Sequence, residues 1–382
     1  MSRKYNLLID FTYINGFRFC AISLQLYAGR LIQGFRDSET FNVAALVWRG
    51  FEDAVDELAG FKVDKIVVDA HSGIIPSRTV TRVFGLIPFK SELEKRHIDA
   101  VIMPFHFECI YYFPKKYNHH FIVQDMIPHH LIQEKNKPVF YWIWCLYRRW
   151  LNRKAKCFIS ISEKTREELK RYEGKDSVVV YNSIPFDFSL QEQPVEELVG
   201  KRYILNVNRF AKYKNAQTLI RAFALLKDRI PQILYLKGDD RHPDDFEQLV
   251  ALVKDLGLKD RVHFDRTYRS ESELRYMYAH ADLFVTPSLM EGFGWTPIEA
   301  AILKVPVLTS NLDVMREVAC GKLETFDPHS PEDLAAHMER ILNNPPDEQT
   351  RQELADFFLE RYSLKTQMEG LTKVLLNNIE NK

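Results

Sequence analysis

Short apolar runs rich in β-branched residues alternate along this chain with longer segments of helical period, the rhythm of repeated strand–helix–strand units. The runs that read as strands in the first half are Tyr5–Asp10, Lys65–Asp69, Ala100–Pro104, Phe121–Gln124, Cys157–Ile161 and Val178–Tyr181. Those in the second half are Tyr203–Val207, Ile233–Lys237, Val262–Phe264, Leu283–Thr286 and Val305–Thr309. Runs such as DLFVTP and VPVLTS stay apolar instead of alternating, so their strands should be buried on both faces, which implies parallel sheets covered by helices. The stretch from Phe186 to Gly200, with Pro194 and several acidic residues, interrupts the rhythm and reads as a linker. The expected architecture is α/β: doubly wound, Rossmann-like domains at 1–190 and 200–347, and a helical tail at 348–382 packing back toward the first. Such sheets bind ligands beyond the carboxyl ends of their strands, and two of them facing each other make a cleft there.

Composition narrows the functions that this frame can carry. A chain of 382 residues, 46% apolar and 27% charged, is an ordinary globular protein with material for more than one core. Its 52 basic and 52 acidic residues cancel, which argues against a dedicated nucleic-acid binder. The balance hides an asymmetry. Residues 1–190 hold 27 Lys/Arg against 21 Asp/Glu and residues 191–382 hold 25 against 31, so the halves stand at +6 and −6. The five cysteines, Cys20, Cys109, Cys145, Cys157 and Cys320, form no CxxC pair and leave one over, which suits a reducing compartment. Asp10 interrupts the N-terminal apolar run, and the longest uninterrupted one, Phe140 to Tyr147, falls far short of the ~20 residues a membrane span needs. A cytoplasmic chain is expected.

The most informative segment is Pro287-Ser-Leu-Met-Glu291-Gly-Phe-Gly294-Trp-Thr-Pro-Ile-Glu299. It follows the strand Leu283–Thr286. Thr296, Pro297 and Glu299 have capping-box spacing with proline at the first helical position, so a helix should open there and point its free N–H groups at the crevice. Gly292 and Gly294 leave the main chain accessible to an anion such as a phosphate. Glu291 and Glu299 flank that site, and carboxylates accept hydrogen bonds from hydroxyls, so a ligand carrying both phosphate and hydroxyls would use both features. Taken singly, Glu299 reads equally well as the closing member of the capping box, and Glu291 as an exposed loop acid. Upstream, Asn206-Val-Asn-Arg209-Phe-Ala-Lys-Tyr-Lys214-Asn215 places two cations at the carboxyl end of another strand. Arg209 and Lys214 could clamp a diphosphate and neutralise charge building on it as a leaving group, or belong to a solvated turn.

PSLMEGFGWTPIEAAILKVPVLTS, preceded by NRFAKYKN and by YMYAHADLFVTPS, resembles the nucleotide-binding domain of retaining glycosyltransferases of family 4, which have the two-domain GT-B fold. The resemblance is clear from about residue 157 to about 345 and weaker before. It implies that Arg209 and Lys214 bind a donor diphosphate, that Glu299 takes the ribose hydroxyls and that Glu291 touches the transferred sugar. Gly292, Phe293 and Gly294 would present main chain, with Trp295 and Thr296 beside them. Tyr268 in the RTYRSES loop is a candidate neighbour of the base. The resemblance implies no metal and no cofactor beyond the nucleoside-diphosphate sugar as co-substrate; Asp239-Asp240 sits where the family has a turn. The acceptor would be a carbohydrate or a lipid-linked carbohydrate. A nucleotide-sugar epimerase of the same fold, and a non-catalytic sugar-nucleotide-binding or scaffold subunit, stand as alternatives.

The first half departs from the family's pattern. Its opening turn, Asp10-Phe-Thr-Tyr-Ile-Asn-Gly16, has one glycine, and the expected His-Asp pair reads Gln124-Asp125. Glutamine can hydrogen-bond a sugar hydroxyl but cannot shuttle a proton, so Gly16, Gln124 and Asp125 are candidates for positioning the sugar or its acceptor. The doublets His119-His120 and His129-His130 read as surface or loop residues and not as metal ligands. From Lys135 to Ser162 there is no acidic residue, while Lys137, Arg148, Arg149, Arg153, Lys154 and Lys156 accompany Phe140, Tyr141, Trp142, Trp144, Tyr147 and Trp150. As a helix, 137–156 either lies on an anionic membrane surface, giving peripheral contact at its inner face, or buries its aromatics on the first sheet and solvates its arginines; the second is the preferred expectation.

Overall fold

The structure is a computed structural model that describes residues 4–13, 22–68, 92–107, 115–134, 138–153, 155–239 and 241–381. The chain divides into two compact units, one of residues 1–185 with 362–382 and one of residues 186–361. Each is built on one parallel sheet.

The sheet of the first unit has the order β3-β2-β1-β4-β5-β6-β7, from β1 (Tyr5–Asp10), β2 (Phe41–Trp48), β3 (Asp64–Val68), β4 (Ala100–Met103), β5 (His119–Val123), β6 (Cys157–Ser160) and β7 (Val178–Val179). Every described pairing is parallel. Leu7, Leu8 and Ile9 of β1 and the whole of β4 are fully buried, as continuous apolar strands between two helical layers must be. The second sheet runs β10-β9-β8-β11-β12-β13, from β8 (Tyr203–Val207), β9 (Ile233–Lys237), β10 (Val262–Asp265), β11 (Leu283–Thr286), β12 (Val307–Ser310) and β13 (Glu324–Phe326). In both sheets the strand order reverses beside the first strand of the unit. Sheets of this kind take ligands beyond the carboxyl ends of the two strands flanking that reversal, here β8 and β11.

The described helices are numbered in chain order: α1 (Ile22–Phe35), α2 (Glu52–Ala59), α3 (Ile127–Glu134), α4 (Pro138–Asn152), α5 (Glu163–Glu173), α6 (Ala216–Leu226), α7 (Pro243–Asp255), α8 (Glu271–Ala279), α9 (Trp295–Ile302), α10 (Asp313–Val318), α11 (Pro331–Asn343), α12 (Glu348–Arg361) and α13 (Leu364–Glu380). Two expectations about domain limits change. The linker joins the second unit, because Val195 and Leu198 are buried and Gln193 N donates to Ser272 O at 3.1 Å. The tail from 348 splits at 361. Helix α12 stays with the second unit, burying Ala355 and Phe358, and Arg351 Nη1 donates to Lys304 O at 3.1 Å. Only α13 belongs to the first. It approaches α1 so closely that a Cβ on Gly34 would stand 2.4 Å from Met368 Sδ, and its buried Gln367 donates to Tyr27 and to Asn182 at 3.2 Å while accepting from Ser183 at 2.8 Å.

Candidate functional site

The site grows from the two loops that leave β8 and β11. After β8 the chain turns inward at Phe210, whose ring is buried against Phe246 and Phe264. It then makes a single 3-10 turn over Lys212–Lys214. Asn215 follows in the left-handed region at φ +58°, a conformation asparagine tolerates better than most residues. Its amide fixes the loop: Nδ2 donates to Pro287 O at 3.0 Å and Pro328 O at 2.8 Å, and Oδ1 accepts from Thr218 at 2.9 Å. Leu289 N donates to Tyr213 O at 2.8 Å. The two loops are thereby laced together over the crevice.

On that frame Lys214 Nζ meets Glu291 Oε1 at 2.7 Å, and Ser288 Oγ donates to the same oxygen at 2.7 Å. The lysine and glutamate side chains are 12% and 11% exposed, so the pair is largely withdrawn from water yet still reached by solvent. Arg209 is half-buried and, among the described residues, makes no side-chain hydrogen bond or ion pair. Its charge reaches Asp239, whose carboxyl, pushed up by burial, is held below its ordinary value by Arg241 and, to a smaller extent, by Arg209. Asp239 is bonded to Arg241 at 2.6 Å, and Asp240 lies outside the described residues. Asn208 Nδ2 and Thr286 Oγ1, at the ends of β8 and β11, are buried without a hydrogen-bond partner among the described residues, which marks the crevice as polar and incompletely satisfied.

The turn into α9 departs from its expected form. The helix opens at Trp295 with Gly294 as its N-cap, so Thr296 and Pro297 stand inside the first turn and no capping box forms. Gly294 decides the start: it lies at φ +87°, and a Cβ there would stand 2.4 Å from Met315 Sδ. Phe293 is buried; Gly292, Trp295 and Thr296 are half-buried. Glu299, freed from capping, accepts a hydrogen bond from Tyr278 OH of α8 at 2.9 Å. Burial pushes its carboxyl up to about 7, against the tyrosine's hydrogen bond and with help from Glu271. The two carboxylates of the motif therefore have separate partners, Lys214 for Glu291 and Tyr278 for Glu299.

Glu299 yields a prediction with a definite sign. Its native carboxyl titrates above the unfolded value of 4.5, so the folded state holds the extra proton and stability falls as pH rises from about 4.5 through about 7. Glu299→Gln removes that penalty, about 3 kcal/mol at pH 8 by linkage. Melting curves at pH 5 and pH 8 should show the variant stabilised at pH 8 and near wild type at pH 5; equal effects at both pH values would refute the account.

The remaining candidates belong to other elements. Tyr268 is 78% exposed beyond β10, at the sheet edge and two strands from β8, about 10 Å across the sheet. Gly16 lies outside the described residues. In the first unit, Asp125 Oδ1 accepts from Ile127 N at 3.0 Å and shapes the entry to α3. Gln124 spans two elements, donating to Pro104 O at 3.3 Å and accepting from Asn182 at 2.9 Å. Both are half-buried at the carboxyl end of β5.

Two readings of the first half are corrected. The histidine doublets are not surface residues: His119, His120 and His129 are buried, His120 because β5 is covered on both faces. In α4 and the residues just after it the expected arrangement holds only in part: Arg149, Arg153 and Lys156 are exposed and Tyr141 and Trp144 are half-buried against His129, but the rest departs from it. Trp142, Ile143, Leu146 and Trp150 face outward, whereas Arg148 is 3% exposed. The cause is a buried charge cluster that sequence reasoning missed. Glu173, the last residue of α5, takes Arg148 Nε at 3.3 Å, His129 Nε2 at 3.3 Å, His106 Nε2 at 3.0 Å and the Asn152 amide. Lys137 and Lys154 lie outside the described residues.

Residues 187–356 match the family of glycosyl transferases group 1, a span that coincides with the second unit and contains every element of the laced crevice. The second unit is a group 1 glycosyltransferase domain. Among curated proteins, the chain is 27% identical over 206 residues to the serotype-specific mannosyltransferase WbdA of Escherichia coli, covering 50% of this chain and 25% of that protein. It is 27% identical over 199 residues to the alpha-1,3/1,6-mannosyltransferase ALG2 of Mus musculus, covering 47% of each. The chain thus spans about a quarter to a half of these relatives' lengths. The crystal structure of a glycosyltransferase from Rickettsia africae ESF-5 superposes with a TM-score of 0.73 at 15% identity, over 100% of both chains. The chain accordingly has the two-domain, Rossmann-like GT-B fold, with one parallel sheet in each unit.

Proposed function

We propose that this chain transfers a sugar, mannose or a close relative, from a nucleoside-diphosphate donor to a carbohydrate or lipid-linked carbohydrate, with retention at the anomeric carbon and without a metal ion. The observation that carries the reading is the Lys214–Glu291 pair held by laced loops at the point where the strand order reverses. That point is where such sheets take nucleotides. The mannosyl assignment is supported by the names of WbdA and ALG2.

In this reading the bond between the anomeric carbon and the phosphate oxygen breaks while the acceptor hydroxyl forms its bond on the same face. The acceptor's proton passes to the departing phosphate, so no protein base is needed where Gln124 stands. Arg209 and Lys214 take up the charge developing on the diphosphate, the part that metal ions play in other transferases. Once Lys214 turns to phosphate, Glu291 is released to hold hydroxyls of the sugar and to stabilise positive character at its anomeric carbon. Glu299 accepts the ribose hydroxyls, and main chain at Gly292 and Gly294 meets sugar and phosphate. Asp125 and Gln124 serve the acceptor side, and a lipid-linked acceptor would bring the chain to the inner face of a membrane.

Thermal-shift measurements with UDP, GDP, ADP, TDP and CMP test the pocket. One nucleoside diphosphate should raise the melting midpoint, by about 2.7 kcal/mol of added stability at a hundred times its Kd. Arg209→Ala and Glu299→Ala should abolish most of that shift. Unchanged nucleotide affinity in both variants would remove this assignment.

A further inference from the structure

Helix α4 is amphipathic in the wrong direction for a core element. Its exposed large apolar residues are Val139, Trp142, Ile143, Leu146, Tyr147 and Trp150, between 36% and 72% accessible and spaced three and four apart along one face. They are half of the twelve exposed large hydrophobics among the described residues. The inward side packs Tyr141 and Trp144 on the His129 ring, and beside them it is polar. Arg148 and Asn152 are buried on Glu173, with Arg148 also over the Phe107 ring at 4.9 Å. A helix whose attachment to its own unit runs through a buried carboxylate is held in one orientation, and that orientation presents tryptophan, leucine and isoleucine outward.

The charges beside this face select its occupant. Arg149, Arg153 and Lys156 are exposed around its C-terminal end, and no acidic residue occurs from 135 to 162. A second copy of the chain would bring the same positive charges against themselves. A bilayer with anionic headgroups matches both features: apolar side chains enter the headgroup boundary, tryptophans sit at the interface, and arginines meet lipid phosphates. We propose that α4 docks this chain on an anionic membrane surface through Val139, Trp142, Ile143, Leu146 and Trp150, with Arg149 and Arg153 as its electrostatic contacts and Glu173 as the positioning residue for the helix. Arg148, which the sequence suggested as a lipid contact, is assigned to that internal anchor. The proposal rests on the reading of a lipid-linked acceptor for its purpose, while its geometry stands on the first unit alone.

The test is co-flotation of the full chain with phosphatidylcholine vesicles containing 30% phosphatidylglycerol, and with pure phosphatidylcholine vesicles. The expected result is binding to the anionic vesicles, at least tenfold weaker binding to neutral ones, and a blue shift of tryptophan fluorescence on binding. Arg149→Glu with Arg153→Glu should lower the affinity by at least tenfold and Trp142→Ser with Leu146→Ser should abolish binding, both with wild-type melting midpoints and nucleotide-induced shifts. Absence of native binding to anionic vesicles, equal binding to neutral ones, or a concentration-dependent dimer lost in the Trp142→Ser, Leu146→Ser variant would overturn it. Because nucleotide-induced shifts are measured on the same samples, a failure here is separable from a failure of the sugar-transfer reading.

Discussion

Lys214→Met should cost at least about tenfold in nucleotide affinity, the value of one charge-assisted hydrogen bond, and about a hundredfold or more in turnover, because the lost cation acts most strongly on charge developing in the transition state. The substitution also strands Glu291, which is 11% exposed and, among the described residues, keeps only Ser288 as a side-chain partner, so the variant should melt lower than wild type. Stability and function are separated by a second substitution. Lys214→Met combined with Glu291→Leu leaves no unpaired charge and should recover the melting midpoint while recovering neither nucleotide affinity nor turnover. Isothermal titration with the nucleoside diphosphate found by thermal shift, together with initial rates, makes the comparison. A single variant that melts low but binds nucleotide normally would assign the pair to the loop scaffold alone.

Much of this site was legible because its parts are local. The strands that frame it, Tyr203–Val207 and Leu283–Thr286, are short, mainly apolar runs found with the limits the sequence suggested, and the glycine-bearing turn follows the second. What failed was set by contacts distant in sequence. Thr296-Pro297 has the local chemistry of a helix start, yet the helix opens earlier because Gly294 alone tolerates both a positive φ and the approach of Met315. Strand β2 went unread because VAALVW has neither period 2 nor period 3.6, and a buried run of that kind is indistinguishable from buried helix by pattern. Strand β13, the three residues Glu324–Phe326, is too short and too polar to signal itself.

The burial of Arg148 in α4 shows the same limit at the level of chemistry. Six aromatics and several arginines suggest aromatics inside and arginines outside, the arrangement that transfer energies favour for residues taken singly. The fold supplies Glu173 from α5 and histidines from α3 and the loop after β4, and one carboxylate with these partners makes it possible to bury Arg148 instead. No spacing rule links those positions, so the cluster could not be read from the chain.

Glu173→Ala should accordingly be the most damaging single change in the first unit. It leaves Arg148, 3% exposed, without its carboxylate and removes the acceptor of His106, His129 and Asn152, and breaking a buried pair in this way costs about 3–5 kcal/mol. For a unit of this size that corresponds to a fall of roughly 10 °C in its melting midpoint. Glu173→Leu with Arg148→Met should restore much of the loss, because an apolar pair of similar volume needs no desolvation. Acid should act on the same unit in the same direction. Burial lowers His106 below its ordinary 6.5, with Arg148 adding, and lowers His120 to about 4; the unfolded chain therefore takes up protons first, and stability is lost as pH falls below about 6.5. The carboxyl of Glu173, pushed up by burial but pulled well below its usual range by His106, His129 and Arg148, loses its contribution only at still lower pH. Glu299 gives the second unit the opposite slope, so calorimetry between pH 5 and pH 8 should find the first unit gaining stability with pH while the Glu299 contribution of the second declines. Parallel slopes in the two transitions, or a Glu173→Ala variant that melts within a degree or two of wild type, would show that the buried cluster does not hold the first unit together.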